Sequence, residues 1–442
     1  MILVGFLQAQ NCTNLASSWR HPRSRTDSWS ADFYRHIGRV LEEGKFHLAF
    51  FDDRLSMPDM YGRDHAHTVQ DGIRCVKLDA LTVLTVLGMA TERLGLGATY
   101  STSYYEPFHV ARVFATLDLM TKGRAAWNVV TSLNDGEARN MGRDEVIGHD
   151  LRYDRADEFV EIVLGHWDAW EDDAIVQDKA FGLFAKPDKV HRLDYEGRYF
   201  RSRGPFTVPR SAQGHPVIIQ AGSSGRGKKF GARWGEVIFV VYPNIEAGKR
   251  DYAEFKACVA GFGRDPDRVK ITHLVNTVAA ETRAEAEDKW AEIEKLPLEI
   301  DALSLLSEAL NFDFASKGMD EPFAESELEE MSGLQGIRDR VVRKKNPTVR
   351  DFIRISGRGR VHNPIVGGPK EVADQLEHWF TAPACDGFVL SATHVPGAYE
   401  DFVRFVVPEL QRRGLFRKDF TGTTLRENLG LPRPAVGTWR TS

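Results

Sequence analysis

Residues 125–142 read AAWNVVTSLNDGEARNMG, an apolar run that delivers Asn128, Thr131, Ser132, Asn134 and Asp135 to one place. Small polar groups after such a run suit two jobs: starting a helix, or meeting a ligand rich in hydrogen-bonding positions. Similar groups follow other apolar runs, with Asp52 and Asp53 in HLAFFDD, Thr99 and Ser101 in LGLGATYS, Gly222, Ser223 and Ser224 after PVIIQA, and Ser391 and His394 after DGFVL. Singly, each suits a helix N-cap; together they form a ring of mostly uncharged donors and acceptors, the lining a flat heterocycle requires. In PVIIQAGSSGRGKKFGARW, a glycine that lets a ligand approach, two hydroxyls and a helix start make a phosphate candidate, with Arg226 or Lys228 adding charge. A Ser-capped strand-to-helix turn is the plainer alternative. His149 and Tyr153, four residues apart, share a helix face if the helix begins early and could hold a phosphate or ribityl chain. His21 in WRHP is the acid/base candidate, with an ordinary pKa near neutrality, and His215 and His362 are weaker ones. HExxH and GxSxG are absent, so neither metal hydrolysis nor a serine nucleophile is indicated.

Groups this far apart in sequence meet only if a repeated architecture gathers them. Strand-like runs at 2–7, 47–53, 94–101, 124–132, 216–221, 236–241, 269–278 and 386–392 alternate with helical spacing at 33–43, 80–92, 108–120, 154–170, 226–234, 248–262, from 282, and at 398–413. About eight β/α units predict a TIM (β/α)8 barrel, in which every strand's C-terminal end opens onto one face. A doubly wound open sheet is the rival, because alternation alone does not report closure. Residues 171–214 and 296–362 break the rhythm and are predicted to be insertions in a single domain spanning 1–442. Phe6, Phe50, Phe51 and the 296–362 insertion are candidates for covering the site; for each phenylalanine, core packing is the plainer alternative.

Composition bounds the partners. With 442 residues, 42% hydrophobic, 27% charged and a formal net charge of -5, the chain is an ordinary globular one with no basic footprint for nucleic acid. Cys12, Cys75, Cys258 and Cys385 lack CxxC spacing, which argues against a zinc site or a disulfide framework and fits a reducing cytoplasm. MILVGFLQAQ reads as a first strand without a basic leader, and nothing approaches the ~20 apolar residues of a membrane span.

The run GRAAWNVVTSLNDGEARNMG, with EEGKFHLAFFDD before it and PVIIQAGSSGRG, CDGFVLSATHVPGAYEDFVRFVVPELQRRGLFR and GTTLRENLGLP after it, resembles the bacterial luciferase-like flavin monooxygenases. Within them it is similar to the group that contains nitrilotriacetate, pristinamycin-synthase and dibenzothiophene-sulfone monooxygenases. The resemblance implies a TIM barrel with insertions, assembled as a homodimer or homotetramer. It also implies reduced FMN delivered by a separate NAD(P)H-dependent flavin reductase, and O2 used to oxidise a small organic substrate, often with C–S or C–N cleavage. Carried over by motif, Asp53, Thr99, His149 and Tyr153 match flavin contacts, Ser223 and Ser224 match serines near the phosphate, and Asn128 falls in the shared NVVTS motif. Asn14 and Leu15 stand where several relatives have a histidine, and Leu133 follows NVVTS where alkane-oxidising relatives have another, which weakens that substrate class. Three alternatives stay open: a deazaflavin-dependent oxidoreductase on the same barrel, an enzyme that degrades the flavin itself, and a flavin-binding protein without turnover.

Overall fold

The computed structural model describes residues 1–222, 225–361 and 363–441. The candidates Ser223, Ser224 and His362 lie outside the described residues. Eight parallel strands form the barrel: β1 (Ile2–Gln8), β2 (Leu48–Asp52), β3 (Gly95–Ser101), β4 (Ala125–Val130), β5 (Val217–Gln220), β6 (Val237–Val240), β7 (Lys270–Ala279) and β8 (Gly387–Ser391). Their order is β6-β5-β4-β3-β2-β1-β8-β7, and the pairing of β7 with β6 closes the ring, which decides against the open sheet. All eight lie within a few residues of the expected runs, because a strand buried on both faces by its own barrel and the surrounding helices is a near-continuous apolar run.

Alternation along each strand sorts side chains to two sides. Ile2, Val4, Leu48, Phe50, Ala126, Val217, Ile219, Val237, Phe239 and Val389 fill the interior. Leu3, Ala49, Phe51, Leu96, Ala98 and Trp127 pack outward against the helices. The floor, at the strands' N-terminal ends, is closed by a late segment: Leu425, Leu429 and Leu431 join the interior cluster. Gly95 sits against this plug, where a Cβ would lie 2.6 Å from both the His47 carbonyl and Leu425 Cδ1. Arg426, buried beside those leucines, is clamped by Glu236 at 2.6 and 2.8 Å and donates to the His215 carbonyl at 3.0 Å.

Three local features differ from the sequence expectation. The helix expected at 154–170 spans His149–Trp167, so it does begin early. The closing helix is interrupted, with an α-turn at Gly397–Asp401, a π-helical turn at Phe402–Val406 and a second α-segment at Val407–Arg412. Pro408 explains this, since it offers no N–H and its ring crowds the carbonyl four residues earlier, so the preceding turn widens. A strand at Ile365–Gly367, paired to the end of β7, and a helix at Pro369–Thr381 were not anticipated.

The stretch 171–214 holds two small hairpins, Ile175–Asp178 with Leu183–Ala185 and Tyr195–Glu196 with Arg201–Ser202. The stretch 296–362 holds helices at Glu299–Leu310, Glu325–Glu330, Gln335–Val341 and Val349–Ser356, organised around Phe314, Phe323 and Phe352 with ring centroids 5.2–5.8 Å apart. No described helix is long and apolar enough to cross a membrane.

Candidate active site

The C-terminal ends of β2, β3 and β4 place the first constellation. Thr99 and Asn128 face each other in the β3–β4 register, and both belong to the inward parity set by Gly97 and Ala126. Asn128 Nδ2 donates to Thr99 Oγ1 at 2.9 Å, and Thr99 Oγ1 donates onward to the Phe51 carbonyl at 3.0 Å. The chain of bonds has a fixed direction, which leaves Asn128 Oδ1 as a buried acceptor with no partner among the described residues. A buried orphan acceptor is costly unless something donates to it, and a ring N–H is the donor a flat heterocycle supplies. Beyond β4, Ser132 adopts φ 55° and its Oγ meets Ser101 Oγ at 2.8 Å.

Asp53 completes this group. Burial pushes its carboxyl up to about 7, against the pull of Lys77 and a hydrogen bond of 2.8 Å from the Arg54 N–H. The folded chain therefore keeps a proton that the unfolded chain, with a carboxyl near 3.8, has lost. Stability should fall as pH rises through the window from about 4 to 7. We expect Asp53→Asn to equal the wild type near pH 4 and to exceed it in urea midpoint near pH 8. A difference that does not change with pH would show a carboxylate ionised throughout.

The second constellation lies on helix His149–Trp167. His149 and Tyr153 stack edge-on with centroids 5.2 Å apart, and Tyr153 reaches Phe230 at 5.5 Å. His149 Nδ1 is 2.8 Å from Asp150 Oδ1. Arg152, on the same helix, donates to the Ser132 carbonyl at 2.6 Å and ties this group to the end of β4.

Two details of the phosphate expectation change. Arg226 is held by Asp157 at 2.5 Å and Asp154 at 3.0 Å, and Lys228 by Glu254 at 2.9 Å, so neither is a free cation. Gly222 is required by the chain's own packing, since a Cβ there would lie 2.5 Å from Gln220 Nε2 and 3.0 Å from Gly227 Cα.

His21 stacks on His394 at 3.7 Å and 14°, between the loops that follow β1 and β8. Its Nδ1 accepts from the Arg23 N–H at 3.1 Å. Burial first, then Arg23, lowers the His21 pKa, and burial pushes His394 down to about 2, so both rings are neutral at pH 7. No described contact joins this pair to Asp53, Thr99 or Asn128. His215 is structural, buried and 2.6 Å from Asp168. Phe50 and Phe51 are core residues, as the plainer alternative held.

Helix Glu299–Leu310, within the 296–362 stretch expected to cover the site, is tied to the segment that follows β4. Asn134 Nδ2 donates to Glu308 Oε1 at 2.9 Å, Asn311 Nδ2 to the Leu133 carbonyl at 3.1 Å, and the Asp135 N–H to Asn311 Oδ1 at 3.1 Å. At its other end Ser17 Oγ donates to Asp301, which is buried, and His67 meets Ser304 at 3.2 Å. Sequence reasoning missed the charged groups beneath this helix. Arg54, Arg74, Lys77 and Arg358 act on one another and on Asp52, Asp53 and Glu308. Arg54 directly follows the Asp52–Asp53 pair, the one signal that could have found it.

A closed parallel barrel with this mouth has known counterparts. The model of the luciferase-like monooxygenase family matches residues 15–385. The chain belongs to that family. As a luciferase-like monooxygenase it is 42% identical to a dibenzothiophene-sulfone monooxygenase of Rhodococcus erythropolis, over 99% of this chain and 98% of the relative. It is 40% identical to nitrilotriacetate monooxygenase component A of Aminobacter aminovorans, over 94% and 93% of the two chains. Among solved structures, a riboflavin lyase crystallised with modified FMN and riboflavin superimposes with a TM-score of 0.89 at 33% identity, covering 98% of this chain and 96% of that one.

Proposed function

We propose that this monooxygenase is the oxygenating half of a two-component system. It takes reduced FMN from a separate NAD(P)H:flavin reductase and uses O2 to oxidise a small organic substrate, with C–S or C–N cleavage among the outcomes. The observation that carries the reading is the orphan acceptor Asn128 Oδ1, set beside Thr99 at the mouth of a barrel of this family, with Asp53, whose carboxyl burial pushes up to about 7, just past β2. When bound, the flavin supplies the activation of oxygen. The chain supplies orientation and dryness: Asn128 and Asp53 meet the ring, His149 and Tyr153 with Ser223 and Ser224 hold the phosphate end, and helix Glu299–Leu310 excludes water. His21, neutral beside His394, is the proton-handling candidate in the adjoining loop. The designation "component A" of one relative supports a partner protein, and we infer a homodimer or homotetramer in the cytoplasm.

The test is product formation in 18O2 with chemically reduced FMN and candidate sulfones, thioethers and aminopolycarboxylates. One oxygen atom should enter the product, and the chain alone should not oxidise NAD(P)H. Direct NAD(P)H oxidation, or hydride transfer without O2, would overturn the reading. The similarity to a riboflavin lyase favours one second reading, in which the flavin is itself the substrate; mass spectra of the flavin after turnover separate the two.

A further inference from the structure

The four cations under helix Glu299–Leu310 are not explained by the packing. Arg74 is 7% exposed, yet among the described residues its Nε is buried with no partner and its only side-chain hydrogen bond is a long one, from Nη2 to Asn14 Oδ1 at 3.4 Å. It is held there by backbone in the left-handed region, φ 54°, which is unfavourable for a side chain of this size. The segment that carries it is pinned to the loop after β1, with the Asn11 N–H on the Val76 carbonyl at 3.2 Å and the Val76 N–H on Asn11 Oδ1 at 3.2 Å. Arg54, Lys77 and Arg358 form no side-chain hydrogen bond or ion pair among the described residues, although surface cations throughout this chain pair readily. Each is half-buried. Burial is the first influence on each, and it pulls Lys77 down and Arg358 down to about 10. Ile73, next to Arg74, packs with Leu305, and Gly359, next to Arg358, lies against Ala302, so both arginines are carried to the same stretch of helix Glu299–Leu310.

The carboxylates nearby are not paired with these cations among the described residues. Glu137 Oε1 accepts from the Leu55 N–H at 3.1 Å, and Glu308 Oε1 from Asn134 at 2.9 Å, so each has a partner elsewhere. Guanidinium forks without a carboxylate partner fit the planar or pyramidal oxygens of a carboxylate, sulfinate or sulfonate.

We propose that Arg54, Arg74 and Arg358, with Lys77, form the binding site for an oxyanion on the organic substrate, so that the oxidised molecule is a carboxylate, sulfinate or sulfonate. This rests on the proposed oxygenase reading for the word substrate; the anion site itself does not. The phosphate of the flavin is the other source of such chemistry. It is disfavoured by position, because these cations come from the loop after β2 and from the end of the insertion, whereas the phosphate candidates follow β4 and β5. In the barrel order β3 and β4 stand between β2 and β5 on one side, and four strands on the other.

The test uses the full chain, with and without FMN, and isothermal titration with acetate, succinate, benzoate, benzenesulfinate and benzenesulfonate, each carboxylate and sulfonate paired with its neutral amide. We expect at least one anion to bind at least about tenfold more tightly than its amide, a margin set by charge-assisted hydrogen bonds. Arg358→Met and Arg54→Met should each lose about tenfold of that affinity while keeping the wild-type melting temperature and FMN affinity, and the surface change Lys249→Met should do nothing. No preference for any anion over its amide overturns the proposal, as does unchanged binding in both arginine variants. Anions that compete with FMN would assign the cations to the flavin phosphate and overturn it too. Anion binding that behaves as expected in a chain that fails to oxygenate anything would sink the oxygenase reading and leave the site standing.

Discussion

Asn128→Leu should fold normally and lose roughly ten- to a hundredfold of its FMN affinity, with substrate oxidation falling at least in proportion. The two side chains are close in volume, and the exchange leaves no new orphan. Thr99 keeps its own donation to the Phe51 carbonyl at 3.0 Å and merely stops accepting from Asn128. What disappears is the buried acceptor Oδ1, which lacks a donor among the described residues. Equilibrium titration of FMN fluorescence and a urea melt separate the two effects. A variant that binds FMN as the wild type does would place the heterocycle elsewhere, and one that unfolds would give Asn128 a structural role.

The second large effect is on stability and lies at the opposite end of the barrel. Arg426→Met should cost about 3 kcal/mol, because it leaves the half-buried carboxylate of Glu236 with its main partner gone. Both contacts of the pair are short, 2.6 and 2.8 Å, and the guanidinium also serves the His215 carbonyl at 3.0 Å and the Pro432 carbonyl at 3.2 Å. Glu236 is held below the usual carboxylate range, with Arg426 overcoming the cost of burial. The double variant Glu236→Leu with Arg426→Met should recover most of the loss, since removing both charges removes the unpaired one. If the double variant is as unstable as the single one, shape rather than charge governs the plug. Guanidinium melts of the three proteins decide the matter.

The barrel was legible because its strands are short apolar runs at regular spacing, and the candidate site was legible where small polar residues end those runs. Asp53, Thr99 and Asn128 were picked out that way; the structure sets Asn128 against Thr99 and ties Thr99 to the Phe51 carbonyl, two residues before Asp53. His149 and Tyr153 were picked out by helical spacing, and the helix does start at His149 with the two rings in contact. The misses share a physical cause. Arg74 and Arg358 lie far from any strand end and look like ordinary surface cations in sequence, so only tertiary packing reveals that helix Glu299–Leu310 covers them. That Arg226 and Lys228 are already paired was hidden for the converse reason: their carboxylate partners lie on other helices and leave no local trace. Pro408 was visible, but the turn it widens depends on the helix continuing past it.

The plug formed by Leu425, Leu429 and Leu431 also bears on how the protein is made. These residues follow all eight strands in the sequence, so the seal on the floor is the last part to be joined to the barrel. Burying those leucines is worth about 1.5–3 kcal/mol each, a sizeable fraction of the stability of any domain. The full stability of the barrel therefore waits for a segment that lies outside its own sheet.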